Sequence, residues 1–567
     1  MKQIQHYTNP ILILLPVIAM LAAGCQVAQG PQAGAFNVRS YGASGNGTTL
    51  DTAAINRTIE TAAASGGGTV YFPPGTYLTY SIRLKSNITL HLDRGATILA
   101  ADSPADEAFD KYDPPEPNPS NRYQDFGHTH WHNSLIWGEG LVNVGIVGEG
   151  TIDGKGLSRG QRPATRPAPP PPPVDPEMAA VWPSDLPVRP VTPNPQDPNT
   201  QYPNDRDSLP AGIGNKAIAL KLCRNVILRD VTIYRGGHFG VLATGVDNLT
   251  IDNLTIDTNR DGIDIDCCQN VRVSNCTVNS PTDDGICPKS SYALGYARST
   301  ENVTITNCQV SGYDVGTLLD GTFKRTPPRD YWRGGPTGRI KFGTESNGGF
   351  KNITISNCVF SYCRGLALES VDGAFLEDVT ISNITMRDVA SSTFFLRLGA
   401  RMRGPEGTPP GTLRRIHIDN VVVYNASPIY SSIISGVPGN DIEDVRLSNI
   451  RIVYQGGGPR ALATSRPAEM EREYPEPRMF GYIPAYGFFI RHVKGLEMEN
   501  IHLSYMGQDY RPAFILDDVK DSTFEKITAQ HESDVPVFDL RDVQNFTARQ
   551  VQGVPDTRQD RARDQKL

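Results

Sequence analysis

A nine-residue pattern recurs through more than half of this 567-residue chain and restricts what it can fold into. Clear copies are NVILRDVTI (225–233), NLTIDNLTI (248–256), NVRVSNCTV (270–278), NVTITNCQV (302–310) and NITISNCVF (352–360). The series continues as DVTISNITM (378–386), RIHIDNVVV (415–423), DVRLSNIRI (444–452) and GLEMENIHL (495–503). Weaker copies start at Asp521 and Asn545, and a partial one at Asn143. The shortest intervals are 22, 23, 24 and 26 residues, and the longer ones need only loops inserted at one corner. Apolar second and fourth places make each copy begin as a short strand. The sixth place is usually Asn (Asn253, Asn275, Asn307, Asn357, Asn383, Asn420, Asn449 and Asn500), followed by apolar seventh and ninth places. Two strands therefore meet at a bend, and Asn tolerates the left-handed conformation such a bend needs.

A period this short, with strands and no helical pattern, predicts an all-β parallel β-helix whose coils stack because none buries its apolar residues alone. Cys276, Cys308 and Cys358 share the seventh place with Val231, Leu254 and Ile384, which makes them small core residues before disulfide partners. One β-helix domain is expected over residues 35–553. Residues 51–68, DTAAINRTIETAAASGGG, predict a short helix capped by Asp51 that buries Ile55, Ile59 and Ala62 and closes the N-terminal end of the stack. Residues 155–212, with RPATRPAPPPPPVDP at 162–176, read as a Pro-rich inserted loop, and 554–567 as a disordered tail.

At the N-terminus, Lys2 precedes ILILLPVIAMLAA, and the run ends in LAAGC at 21–25. Residues 1–24 read as a signal peptide of the bacterial lipoprotein type, with Cys25 as the lipidated residue. The mature chain is then expected outside the cytoplasm, touching membrane only through that lipid, with plain secretion as the alternative. A net charge of −7 gives no basic field for nucleic acid.

Asp261-Gly262-Ile263 and Asp284-Gly285-Ile286 lie 23 residues apart, one coil. Equivalent residues in adjacent coils sit about 4.8 Å apart, so Asp261 and Asp284 stack, Ile263 and Ile286 fix the register, and Asp283 enters from another direction. Three carboxylates on one patch repel, and at least one should hold its proton. Glycoside hydrolysis needs one protonated and one ionised carboxyl. Asp283 is read as the general acid, with Asp261 and Asp284 holding and activating water; the chemistry asks for no cofactor and no metal.

Around these acids, His238 and Phe239 lie one coil earlier, with Arg260 and Lys289 at the border and Lys289 stacked on Asp266. In GRIKFGTES (338–346), Ile340 and Phe342 face inward and Arg339 and Lys341 outward, where two cations would suit a sugar carboxylate. His128, His130 and His132 fall on one side of an extended HTHWHNS, a spacing that can hold a metal but lacks an acidic or Cys partner there; a loop at the cleft rim is the simpler reading.

The chain resembles glycoside hydrolase family 28, the polygalacturonase-like right-handed parallel β-helix enzymes, from about residue 35 to 550. Residues 36–77, FNVRSYGASGNGTTLDTAAINRTIETAAASGGGTVYFPPGTY, are similar to the family's N-terminal segment, and GEGTIDGKG (148–156) to its next landmark. The family's Asn-Thr-Asp motif stands here as NRD, placing Asn259, with Arg260, before Asp261; its Asp-Asp motif is Asp283-Asp284. The resemblance implies inverting hydrolysis of a pectic substrate, with the first of the paired acids as proton donor. Its Gly-His-Gly motif has no clear copy; GYDVG (312–316) and GPTGR (335–339) contain no His. Its Arg-Ile-Lys motif appears at Arg339-Ile340-Lys341, yet FGTESNGG (342–349) is similar to the segment that precedes that motif, which would make Ala367-Leu368-Glu369 the equivalent. On that register rhamnogalacturonan or another branched pectic glycan competes with polygalacturonate as substrate. A lyase or epimerase on the same fold and a non-catalytic glycan-binding β-helix are the alternatives, and the oligomeric state is not legible.

Overall fold

The computed structural model describes residues 34–102, 111–124, 126–158, 212–326 and 335–567. The expected signal peptide, Cys25 and nearly all of the 155–212 insertion fall outside the described residues. The repeats wind into a right-handed parallel β-helix with three strands to a coil. One coil runs Arg224–Arg229, Thr232–Tyr234, Phe239–Thr244; the next runs Asp247–Asp252, Thr255–Asp257, Asp261–Asp266. Second-place residues Val226, Leu249, Val271, Val303 and Ile353 are successive register partners and form one buried column. Cys276, Cys308 and Cys358 are buried in the same core, and the eight described cysteines are all free thiols.

The bends are made as the repeat requires. All eight sixth-place Asn residues have φ between 54° and 58°, a left-handed conformation that their short polar side chains tolerate. Their amides bond along the column, Asn307 to Asn275, Asn357 to Asn307, Asn383 to Asn357 and Asn420 to Asn383. The first-place Asn residues build a second ladder, with Asn225 donating to Asn143 and Asn248 to Asn225. Asn357→Ala removes the rung accepting from Asn383 and donating to Asn307 and leaves Ala at φ 55°. It is expected to destabilise by about 1–2 kcal/mol, and Asn357→Gly by less, as read by urea denaturation.

The ends are closed differently from one another. At the N-terminal end the helix Thr52–Ala64 buries Ile55, Ile59 and Ala62 as expected. Asp51 precedes it but does not cap it: its carboxylate accepts from the Ser44 and Gly45 amides and so ties down the preceding turn. Towards the other end Phe488, Phe514 and Phe538 stack rung on rung with centroids 5.8 and 5.1 Å apart, and Phe394 reaches Phe488 at 6.4 Å across the intervening Ser432. The tail read as disordered is instead folded. Thr557–Ala562 and Gln565–Lys566 turn back antiparallel on Phe538–Val551, so the last parallel edge is paired and Ala562 is buried.

Candidate active site

Phe239–Thr244, Asp261–Asp266 and Ile286–Lys289 stack as parallel rungs, and Ile286 bridges onward to Ile340 before Lys341–Phe342 and Leu366–Ser370. Ile263 pairs with Ile286, which sets Asp261 over Asp284. The glycine of the first Asp-Gly-Ile has a packing reason. A Cβ at Gly262 would lie 2.3 Å from Val278 Cγ1 and 2.5 Å from the Gly285 carbonyl oxygen. Only a bare backbone lets the coils approach this closely beside the acids.

Asp261, Asp283 and Asp284 come together, with one oxygen of each within 4.8 Å of the others. The Asp284 amide donates to Asp261 (3.1 Å) and to Asp283 (3.2 Å). Their environments differ. Asp284 is buried and accepts from Arg339 Nε and Lys341 Nζ, each at 2.9 Å. Burial works against its charge, but Lys341 and Arg339 hold its carboxyl well below the usual carboxylate range. Asp261 is also buried; that burial, then the charges of Asp283 and Asp264, push it well above its ordinary value. Asp283 faces Arg260 Nη2 at 3.2 Å and is the open member, its side chain 29% exposed. One carboxyl is locked ionised, one favours its proton, and one looks outward.

The other residues singled out in the sequence are distributed as follows. Arg339 and Lys341 point away from the core, but they are buried against the acids where an exposed face was expected. The covering segment 457–487 supplies Glu476, which accepts from Arg339 (2.8 Å) and Arg364 (2.8 Å). The literal Arg-Ile-Lys thus sits on the triad. Glu369, expected to stand in its place, lies 3.9 Å from both cations, and burial pushes it up to about 8 against their pull. Lys289 is in register with Asp266, yet its ammonium turns to Glu345 (3.2 Å), Asp264 (3.5 Å) and Asp261 (3.6 Å); Asp266 accepts from Ser291 instead.

Phe239 is fully buried with Trp131 and Leu242, so it offers no platform to a sugar. His238 packs on it at 4.5 Å between centroids; burial, then Arg260, holds His238 well below its ordinary value. Its Nε2 and the Asn259 Oδ1 are buried without a hydrogen-bond partner. The three histidines of HTHWHNS take different partners: His128 faces Asp264 and Glu345 at 3.7 and 3.8 Å, His130 bonds Thr129, and His132 bonds Glu139 while stacking on Trp137.

Sequence reasoning missed Asp264, Glu345, Tyr474 and Glu476. Tyr474 is 37% exposed, with Lys341 Nζ 5.7 Å from its ring centroid and its hydroxyl 2.9 Å from Thr344 Oγ1. An aromatic edge at the opening of an acid cluster suits the face of a sugar ring. Its only signal in the sequence is EREYPEP (471–477), an acidic and aromatic stretch inside an insertion.

Residues 35–112 match the family described as rhamnogalacturonase A/epimerase, pectate lyase-like, and residues 211–325 the right handed beta helix region. An exo-poly-alpha-D-galacturonosidase of Dickeya chrysanthemi is 29% identical over 282 residues; the match covers 47% of this chain and 43% of that protein, less than half its length. A probable polygalacturonase of Vitis vinifera is 24% identical over 484 residues, covering 75% of this chain and 86% of its own. In fold, the chain is similar to a family 28 exopolygalacturonase of Yersinia enterocolitica, with a TM-score of 0.58 at 20% identity over 86% of this chain and 78% of the other.

Proposed function

We propose that this chain, a polygalacturonase-like right-handed parallel β-helix of the glycoside hydrolase family 28 type, hydrolyses glycosidic bonds in a pectin-type, uronic-acid-containing polysaccharide or oligosaccharide. The observation that carries the reading is the division of labour among three adjacent carboxyls: Asp284 fixed as an anion, Asp261 buried and inclined to a proton, Asp283 partly exposed. Carboxyls this close interact strongly, so the charge on one depends on the charge on the others. In the productive arrangement the proton is on Asp283, which delivers it to the leaving oxygen. Asp261 and Asp284, both ionised, then orient water and accept its proton as it attacks the sugar carbon. No metal or cofactor enters these steps.

The stereochemical outcome is inversion. Proton NMR of the first-formed product on de-esterified homogalacturonan and on rhamnogalacturonan oligosaccharides tests substrate and outcome together. A new reducing end of opposite anomeric configuration to the bond cleaved is expected; retained configuration would reassign one Asp as a nucleophile.

The reading extends to location. The export segment before Cys25 supports a lipid-anchored protein of the bacterial envelope, and Cys25→Ser should move it from the membrane to the soluble fraction.

A further inference from the structure

Next to Asp261 lies a charged cluster whose other members, Lys289, Asp264, Glu345 and His128, the steps above leave unused. Lys289 Nζ is enclosed by three carboxylates, Glu345 at 3.2 Å, Asp264 at 3.5 Å and Asp261 at 3.6 Å, with side-chain exposures of 5% or less. His128 closes the cluster from the loop above. Neither Asp264 oxygen makes a hydrogen bond, so the ammonium faces Asp264 as a charge at a distance. This lysine cannot reach substrate without leaving three acids uncompensated in a buried site.

We infer that Lys289 is a positioning residue, held by Asp264 and Glu345, whose charge beside Asp261 favours the ionised form in which Asp261 takes the proton of the attacking water. The inference rests on the hydrolase reading above. Asp261 is faced by Asp264 from its own strand, by Asp283, Asp284 and Lys289 from the next rung, by His238 and Phe239 from the previous one, and by His128 from the loop. Arg260 is turned to Asp283, and Arg339 and Lys341 to Asp284, which leaves Lys289 as the cation nearest Asp261. Asp264 works in the opposite sense, since its charge favours the proton on Asp261. The two neighbours therefore have opposite signs, which a merely structural role would not produce.

The test is the pH dependence of kcat in the full chain. Lys289→Met is expected to move the acidic limb up by about one pH unit or more, with kcat reduced and KM little changed, while Lys289→Arg restores the limb. Asp264→Asn is expected to move it down. Shifts in the same direction, no shift, or a raised KM at unchanged kcat overturn the inference. Should Lys289→Met fail to fold, Asp264→Asn decides alone: an upward or absent shift overturns it. Carboxyl NMR titration of Asp261 in the same proteins reads the effect without substrate. Failure of the inference there is thus distinct from failure of the hydrolase reading, which shows as wild-type protein without turnover.

Discussion

Asp283→Asn is expected to lower kcat by about 10²–10⁴-fold while leaving binding of a pectic oligosaccharide and the fold intact. The substitution removes the open acid of the triad without touching what holds the rungs together. Asp283 is partly exposed, and among the described residues its one ion pair is with the half-buried Arg260, so its loss strands no fully buried charge. Exposed pairs contribute about 0–1 kcal/mol, and a partly exposed one of this kind should contribute little more, so the melting temperature should move only slightly. Turnover and isothermal titration on the same preparation check both halves. A non-catalytic glycan-binding protein would bind equally well before and after and show no turnover to lose.

Asp284→Asn should behave in the opposite way on stability, although the two residues are adjacent. Asp284 is the shared counter-ion of Arg339 and Lys341, all three buried. Arg339 keeps Glu476, but Lys341 loses its 2.9 Å partner and, among the described residues, retains only Glu369 at 3.9 Å, a loss of about 3–5 kcal/mol, together with loss of turnover. Denaturant titration of wild type, Asp283→Asn and Asp284→Asn side by side should place only the last far from the others.

The same contacts fix the sign of a pH effect. Asp284 is held below its unfolded value of about 3.9, so its stabilisation is fully present above that pH. It is lost as pH falls through the lower, folded value, because the unfolded chain then binds the extra proton. Wild type should thus lose stability in acid more steeply than Asp284→Asn, whose residue 284 has nothing to titrate.

What the sequence disclosed and what it withheld divide along the repeat. The nine-residue period carried the coil, the Asn bends and the apolar columns, because each is a local conformational preference repeated in register. It also carried the triad: Asp261 over Asp284 follows from Ile263 over Ile286 with no knowledge of anything else. The second Asn ladder was written in the same copies, in their first place. Alternation gave the outward direction of Arg339 and Lys341 but not their burial, since outward from a strand is not outward from the protein once an insertion folds across it. Glu476 meets Arg339 from 137 residues away, inside a segment with no period. Lys289 shows the same limit on a smaller scale. Register put it on Asp266, whereas its flexible side chain settled on the larger group of acids one rung and one loop away. The tail was misread because its polar composition says nothing of the unpaired strand edge that recruits it.

The central claim is that the three stacked Asp carboxyls split a glycosidic bond with water. Reducing-end release from de-esterified homogalacturonan and from rhamnogalacturonan, followed together with ultraviolet absorbance of the products in the presence of chelator, measures that most directly. Saturated reducing ends that accumulate without absorbance, undiminished by chelator and almost absent with Asp283→Asn, are the predicted result. Absorbing, unsaturated ends that vanish with chelator, or turnover that survives Asp283→Asn, would contradict it.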